Sequence, residues 1–286
     1  MRRMVVTIEL DKLTVVVQNE SAHDEPYLWL AFIKVDGSTL SISDSAHSSA
    51  TIHSPAGSHG NLGPAGSEMN QGDSVAIPSA LGRWRTPMLT IPDGGLMDDV
   101  LSAITLVVVG LEQDDTPDDA AEQGRQAFVN VLQSEVNKAI QALKKPDVNA
   151  ITEEAKAAII NAIKAASVSV WTVLPISNLF TIGALVDSDD FIGSNLAGPF
   201  TFKQIHDAGP SGIPFGLLDL VVPPIDNGFY QVTGRVSAIL SLSVRRSAAQ
   251  CGKSLPLSLK KSVFTFGAKS SSLWDHLATM EISCAP

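Results

Sequence analysis

The chain is poor in cysteine, in aromatic residues and in charge. Its 286 residues contain 2 cysteines, 6% aromatic residues and 17% charged residues. Cys251 and Cys284 make no metal-binding motif, and they either pair with each other or remain two free thiols. Hydrophobic residues still make up 44% of the chain, which is enough to bury a core and excludes disorder throughout.

Positive charge is also scarce, and it is unevenly placed. The chain has 20 Lys and Arg against 30 Asp and Glu, a formal net charge of −10, which argues against nucleic acid as a partner. Residues 227–286 nevertheless hold seven bases and only two acids, with no acid between Asp226 and Asp275. This basic segment either meets an anionic surface or is a solvated face of ordinary strands.

Targeting and catalytic motifs are missing as well. Glu9 and Asp11 interrupt the apolar N-terminal stretch too early for a signal peptide, so the compartment stays open between cytoplasm, non-classical export and a mature form. There is no Gly-x-Ser-x-Gly elbow and no His-Glu-x-x-His motif. A hydrolase that uses His206, beside Asp207, or His276 remains an alternative, because a pair of neighbouring residues is not a triad.

Alternating and continuous apolar runs predict a mainly β fold. Residues 4–17 and Tyr27–Val35 read as strands, Ile104–Leu111 as a central buried strand, and Pro199–Ile205 as one of several short strands near the C-terminal half. Residues 43–74, rich in Ser, Gly, His and Pro, predict a long polar loop in which His47, His53 and His59 are loop residues.

Between the strands the period changes to that of a helix. Thr116 and Pro117 followed by two acids are typical of a helix start, and an apolar stripe runs on to about residue 145. A second stripe from about Thr152 predicts an α-helical hairpin over 116–172. The uncharged run 165–186 is long enough to cross a bilayer, but Pro175 and several hydroxyl residues dilute it.

Acidic residues cluster where predicted strands begin or end. Asp24 precedes one strand, Glu112 and Asp114 follow another, and Asp189 and Asp190 follow the hairpin. Calcium takes six to eight hard oxygen ligands, and several carboxylates on adjacent loops supply them well. The alternative is that these acids are turn formers and solvated loop tips.

Two of these acidic segments resemble the signatures of C2 domains, the β-sandwich modules that often bind calcium and membranes. The segment Asp24-Glu25-Pro26-Tyr27-Leu28 resembles the Ser-Asp-Pro-Tyr-Val signature of that family, and Asp189-Asp190-Phe191-Ile192-Gly193 resembles its Asp-Asp-Phe-Ile-Gly signature. The resemblance implies an antiparallel C2-like β-sandwich in which the helical hairpin is inserted beside the third calcium loop. It also implies a calcium site, whose ligands would be Asp24, Glu112, Asp114, Asp189 and Asp190.

We therefore expect one decorated domain over residues 1–286, completed by the basic β segment 227–286. The expected function is non-enzymatic binding to an anionic membrane or a cell-surface receptor, assisted by calcium. Trp84, between Arg83 and Arg85, is the candidate surface contact, although strand alternation would equally bury the Trp and expose both Arg residues. The other reading is a pore-forming or insecticidal-type toxin whose hairpin enters the bilayer.

Overall fold

The computed structural model describes residues 2–18, 21–40, 49–55, 60–91, 102–113, 118–142, 190–221, 228–240, 243–246 and 281–284. Its strands, in chain order, are β1 (Arg3–Val17), β2 (Pro26–Val35), β3 (Thr51–His53), β4 (Ser74–Ala76), β5 (Arg83–Leu89), β6 (Ala103–Glu112), β7 (Asp190–Thr201), β8 (Ile213–Pro214), β9 (Leu218–Leu220), β10 (Phe229–Leu240), β11 (Ser243–Arg246) and β12 (Glu281–Cys284). Its α-helices are α1 (Ser79–Gly82), α2 (Asp118–Ala142) and α3 (Phe202–Ala208).

The described strands form two large sheets and one small one. In the first sheet β1 lies beside β10, β4 and β5 pair with β1, and β8 and β9 pair with β10. The second sheet has the order β3-β2-β6-β7, and its three pairings are antiparallel. This arrangement confirms the mainly β prediction. The chain divides into two compact units, Met1–Ala238 and Ile239–Pro286, and the second contains the parallel pair of β11 and β12.

One apolar cluster joins the first sheet to the second. Alternate residues of a strand point to the same face, so every second residue of β1 and of β2 enters this cluster. These residues are fully buried and include Met4, Val6, Ile8, Leu28, Leu30 and Phe32. Removing one such side chain from water contributes roughly 1.5–3 kcal/mol to stability, which makes this cluster the main stabilising element of the first unit.

Helix α2 covers the other face of the second sheet. Its buried residues Phe128, Leu132, Val136 and Ile140 recur every fourth position, as the sequence stripe predicts. The ring of Phe128 stacks on Trp29 of β2 with centroids 6.2 Å apart. Strand β6 is thus buried on both faces along its whole length, which confirms the central strand expected from its continuous apolar run.

The structure corrects two local predictions. The segment 43–74 is not all loop, because Thr51–His53 forms β3, which pairs with Phe32–Lys34 at the edge of the second sheet. The predicted strand at 199–205 is wrong beyond Thr201. There Thr201 and Gln204 form a capping box that starts α3.

Other predictions lie outside the described residues. Among them are the second helix of the expected hairpin, the uncharged run 165–186, residues Asp114, Asp189 and His276, and the cysteine at position 251. No helix in the described part of the chain is long and apolar enough to span a membrane.

Candidate acidic site at one end of the second sheet

Antiparallel pairing brings three of the predicted acidic segments to the same end of the second sheet. Pro26, at the start of β2, lies opposite Glu112, at the end of β6, and Glu112 lies opposite Asp190, at the start of β7. Asp24 is two residues before β2. We call Asp24, Glu25, Glu112 and Asp190 the acidic end. The convergence follows from strand direction alone, since β2 and β7 both begin where β6 ends.

Asp24 is fully buried at this end, and both its backbone and its side chain are held. Its N–H donates to the carbonyl of Met69 at 2.8 Å, and its own carbonyl accepts from the Met69 N–H at 2.9 Å. The Tyr230 hydroxyl donates to its Oδ2 at 3.0 Å. Tyr230 belongs to β10 of the first sheet and is itself fully buried, so this hydrogen bond ties the two sheets together at the acidic end.

Glu112 is 1% exposed and holds the ends of β2 and β6 together. Its Oε1 accepts from the backbone N–H of Glu25 at 3.3 Å, and the Gln113 N–H donates to the Glu25 carbonyl at 3.1 Å. A Cβ added at Gly110, two residues earlier on β6, would lie 3.5 Å from the Tyr230 ring. Strand alternation therefore directs Glu112 to the same face of the sheet as Gly110, toward Tyr230.

The rim of the acidic end is exposed. His23 Nε2 lies 3.9 Å from Glu25 Oε1, and about two fifths of each side chain is accessible (42% and 41%). Chemically, the acidic end offers buried carboxylate oxygens whose orientation is fixed by neighbouring donors, beside an exposed carboxylate. Hard cations bind this type of oxygen. Within the described ranges no three His, Cys, Asp or Glu side chains converge as a ready metal cage, so a complete site needs Asp190 or the acids at 114 and 189.

Sequence reasoning missed Tyr230 and Glu25 as members of this site. A tyrosine in an alternating strand does signal a buried ring whose hydroxyl needs an acceptor. The identity of that acceptor was not readable, because Tyr230 and Asp24 are 206 residues apart in the chain.

The predicted surface contact on β5 is split by strand alternation. Arg83 and Arg85 are exposed, and Arg83 Nε lies 4.0 Å from Glu9 Oε1. Trp84 points the other way, half-buried, with its ring centroid 5.4 Å from that of His53 and 5.9 Å from that of Phe32. The two Arg side chains, and not the indole, are therefore the accessible part of this element.

The histidine of the hydrolase alternative lies on α3. Arg2 Nη2 is 3.0 Å from His206 Nε2, and Asp207 Oδ1 is 3.3 Å from His206 Nδ1. In the described part of the chain no Ser or Thr hydroxyl bonds to this imidazole. The arrangement is a surface ion-pair cluster, since Lys203 also bonds to Asp207.

Comparison with known proteins adds no relative to these observations. No protein-family model, curated protein or solved structure matches the chain.

Proposed function

We propose that the chain is a non-enzymatic binding protein that takes up calcium at the acidic end and docks there onto an anionic membrane. The observation that carries the proposal is the register Pro26–Glu112–Asp190, which gathers acids from separate parts of the sequence at one end of a sheet. This is the placement that the resemblance to C2 domains implies. Two antiparallel sheets joined by one apolar cluster also agree with it.

The residues of the acidic end would have different roles. The buried carboxylates Asp24 and Glu112 are already oriented, so they lose little conformational entropy when they coordinate an ion. Asp190, with Asp114 and Asp189 from adjoining segments, would supply further oxygens. A bound Ca²⁺ cancels their mutual repulsion and keeps coordination positions open for the phosphate oxygens of lipid headgroups.

Basic residues elsewhere would strengthen the docking without calcium chemistry. Arg83 and Arg85 are accessible on β5, and a Lys or Arg near an anionic leaflet contributes about 1 kcal/mol. This contribution falls with ionic strength, whereas carboxylate coordination of the ion depends on calcium.

Flotation with vesicles tests the proposal. The purified chain is mixed with vesicles of phosphatidylcholine and phosphatidylserine in calcium, in magnesium and in chelator. We expect flotation in calcium only, and its loss when Asp189→Asn and Asp190→Asn are combined.

The control must also remove two negative charges, because a less acidic protein binds anionic lipid better for that reason alone. Asp11→Asn with Glu135→Gln serves, since both acids lie away from the acidic end, Asp11 paired with Arg235 and Glu135 with Lys138. Flotation that is equal in calcium and chelator, or that survives in the Asp189/Asp190 variant as in the control, contradicts the proposal.

A further inference from the structure

Strand β3 is a short edge strand that is held from three sides. It pairs with β2 over only three residues, Thr51–His53, and an isolated pairing of that length is not stable in water. What holds it in place must therefore come from side chains of the neighbouring elements.

Helix α2 supplies one set of these contacts, just outside the strand. The Ala50 N–H donates to Asn137 Oδ1 at 3.1 Å, and Gln133 Nε2 donates to the Ala50 carbonyl at 3.2 Å. On the other side of β3, the buried Arg125 donates from Nη1 to Ser54 Oγ at 2.5 Å. Polar side chains of α2 thus hold the segment at both ends.

His53 supplies the third contact. Its ring lies nearly parallel to Trp84 of β5, at an interplanar angle of 16° and a centroid distance of 5.4 Å. Its centroid is 5.9 Å from that of Phe32 on β2. The imidazole therefore fills the space between a strand of the second sheet and a strand of the first, at an open edge.

The charges around His53 disfavour a second positive charge there. From α2, Arg125 approaches it, although Glu122 pairs with that guanidinium through two hydrogen bonds. From β5, Arg83 and Arg85 flank Trp84 on the opposite, exposed face, and from β2, Lys34 lies opposite Thr51 and pairs with Asp36. Burial lowers the pKa of the His53 imidazole, and the Arg125 guanidinium lowers it further. A cation over the Trp84 face gains about 0.5–1 kcal/mol, which offsets only part of this.

We propose that β3 is an acid-sensitive latch, in which protonation of His53 releases residues 49–55 from Trp84 and from α2. In the closed state the imidazole is neutral. In the released state it returns to water, where its pKa is about 6.5. The closed state is therefore fully favoured above that value, and it loses stability as the pH falls from there toward the lowered pKa of the closed state.

Release has a defined structural consequence. Phe32 is fully buried beneath His53 and Trp84, so opening would expose two aromatic rings and the hydrogen-bonding edge of β2. These are the groups that an anionic or apolar surface could then engage. The latch does not depend on calcium, so it can hold or fail independently of the function proposed above.

Amide hydrogen exchange tests the latch in the full chain. The protection of the Thr51–His53 amides, corrected for the intrinsic exchange rate, is compared at about pH 7.5 and about pH 5.5. We expect it to fall several-fold in acid, at most tenfold for each unit by which the pKa of His53 is lowered. His53→Gln should remove this fall, whereas His206→Gln, the matched control on α3, should keep it.

An NMR titration of the His53 ring in the unmodified chain gives a second measurement that needs no variant. The latch requires a pKa below that of an exposed histidine. A value at or above the ordinary one, unchanged protection in acid, or the same loss of protection in His53→Gln would each overturn it.

Discussion

The two ends of β2 each hold a fully buried aspartate, but the two carboxylates differ in their surroundings. Asp24, before the start of the strand, accepts from the Tyr230 hydroxyl. Asp36, just after its end, pairs with the buried Lys34 at 3.0 Å. The same sheet therefore carries the same residue type at both ends in two different settings.

Asp36 is saturated by donors. Its Oδ1 accepts from the N–H and hydroxyl of Ser38, and its Oδ2 accepts from the Leu89 N–H and lies against the Lys34 ammonium. Four donors fill the acceptor capacity of a carboxylate. Lys34 also donates to the Pro87 carbonyl at 3.0 Å, so this cluster fastens β2 to the end of β5. Asp36 is thus a structural carboxylate, and it is the natural control for the acidic end.

The comparison teaches that burial of an acid does not by itself indicate function. An ammonium and fixed donors explain Asp36 completely. The acidic end differs because acids from β2, β6 and β7 share one position in the sheet, and such a gathering costs repulsion that a bound cation would relieve.

The largest expected effect is at the structural end. Asp36→Ala leaves the Lys34 ammonium buried without its carboxylate and should lower the free energy of unfolding by about 3–5 kcal/mol in urea titrations. The double variant Lys34→Met, Asp36→Ala should lose less than Asp36→Ala alone. An equal or larger loss in the double variant would show that the ion pair is not the cause.

The next effect concerns calcium at the acidic end. Calcium at 100 times its dissociation constant should raise the free energy of unfolding by about 2.7 kcal/mol. Glu112→Gln keeps an oxygen to accept from the Glu25 N–H but removes a charge, so it should abolish this gain while changing stability in chelator little. Asp11→Asn, which removes the same charge from an exposed site, should keep the full gain.

The hydrogen bond across the two sheets is worth less. Tyr230→Phe removes a single hydroxyl from Asp24 and should cost about 1.5 kcal/mol in chelator, as measured by urea unfolding. No change in stability would mean that the Tyr230 hydroxyl does not restrain Asp24 in solution.

The smallest effect is at an exposed pair of the same chemistry. Hydrogen bonds from Lys203, and then from His206, lower the pKa of Asp207. Its stabilising effect is present above the ordinary aspartate pKa and is lost as the pH falls through the lowered value. Because the pair is exposed and screened, Asp207→Ala should leave the urea midpoint within error of the parent. High salt should return the pKa of Asp207, followed by NMR, toward the ordinary value.

Much of the fold was readable because its signals are local. The continuous apolar run of β6 and the four-residue spacing on α2 each follow from the period of one element. The capping box at Thr201 and Gln204 was also present in the sequence, but the preceding apolar residues favoured a strand over α3.

The rest depends on contacts between distant residues. β3 is three residues long and lies among Ser, Gly and His residues, so only its contacts with β2 and α2 define it. At the acidic end, acids beside strand termini predicted which segments meet. The bond between Tyr230 and Asp24 could not be predicted, because it joins two sheets whose relative placement no local pattern encodes.

Isothermal titration calorimetry of calcium into the chelator-treated full chain tests the central claim most directly. The account predicts saturable binding that is lost when Glu112→Gln and Asp190→Asn are combined and is retained when Asp11→Asn and Glu135→Gln are combined. Absence of binding in the parent chain, or equal affinity in both double variants, would contradict a calcium site at the acidic end.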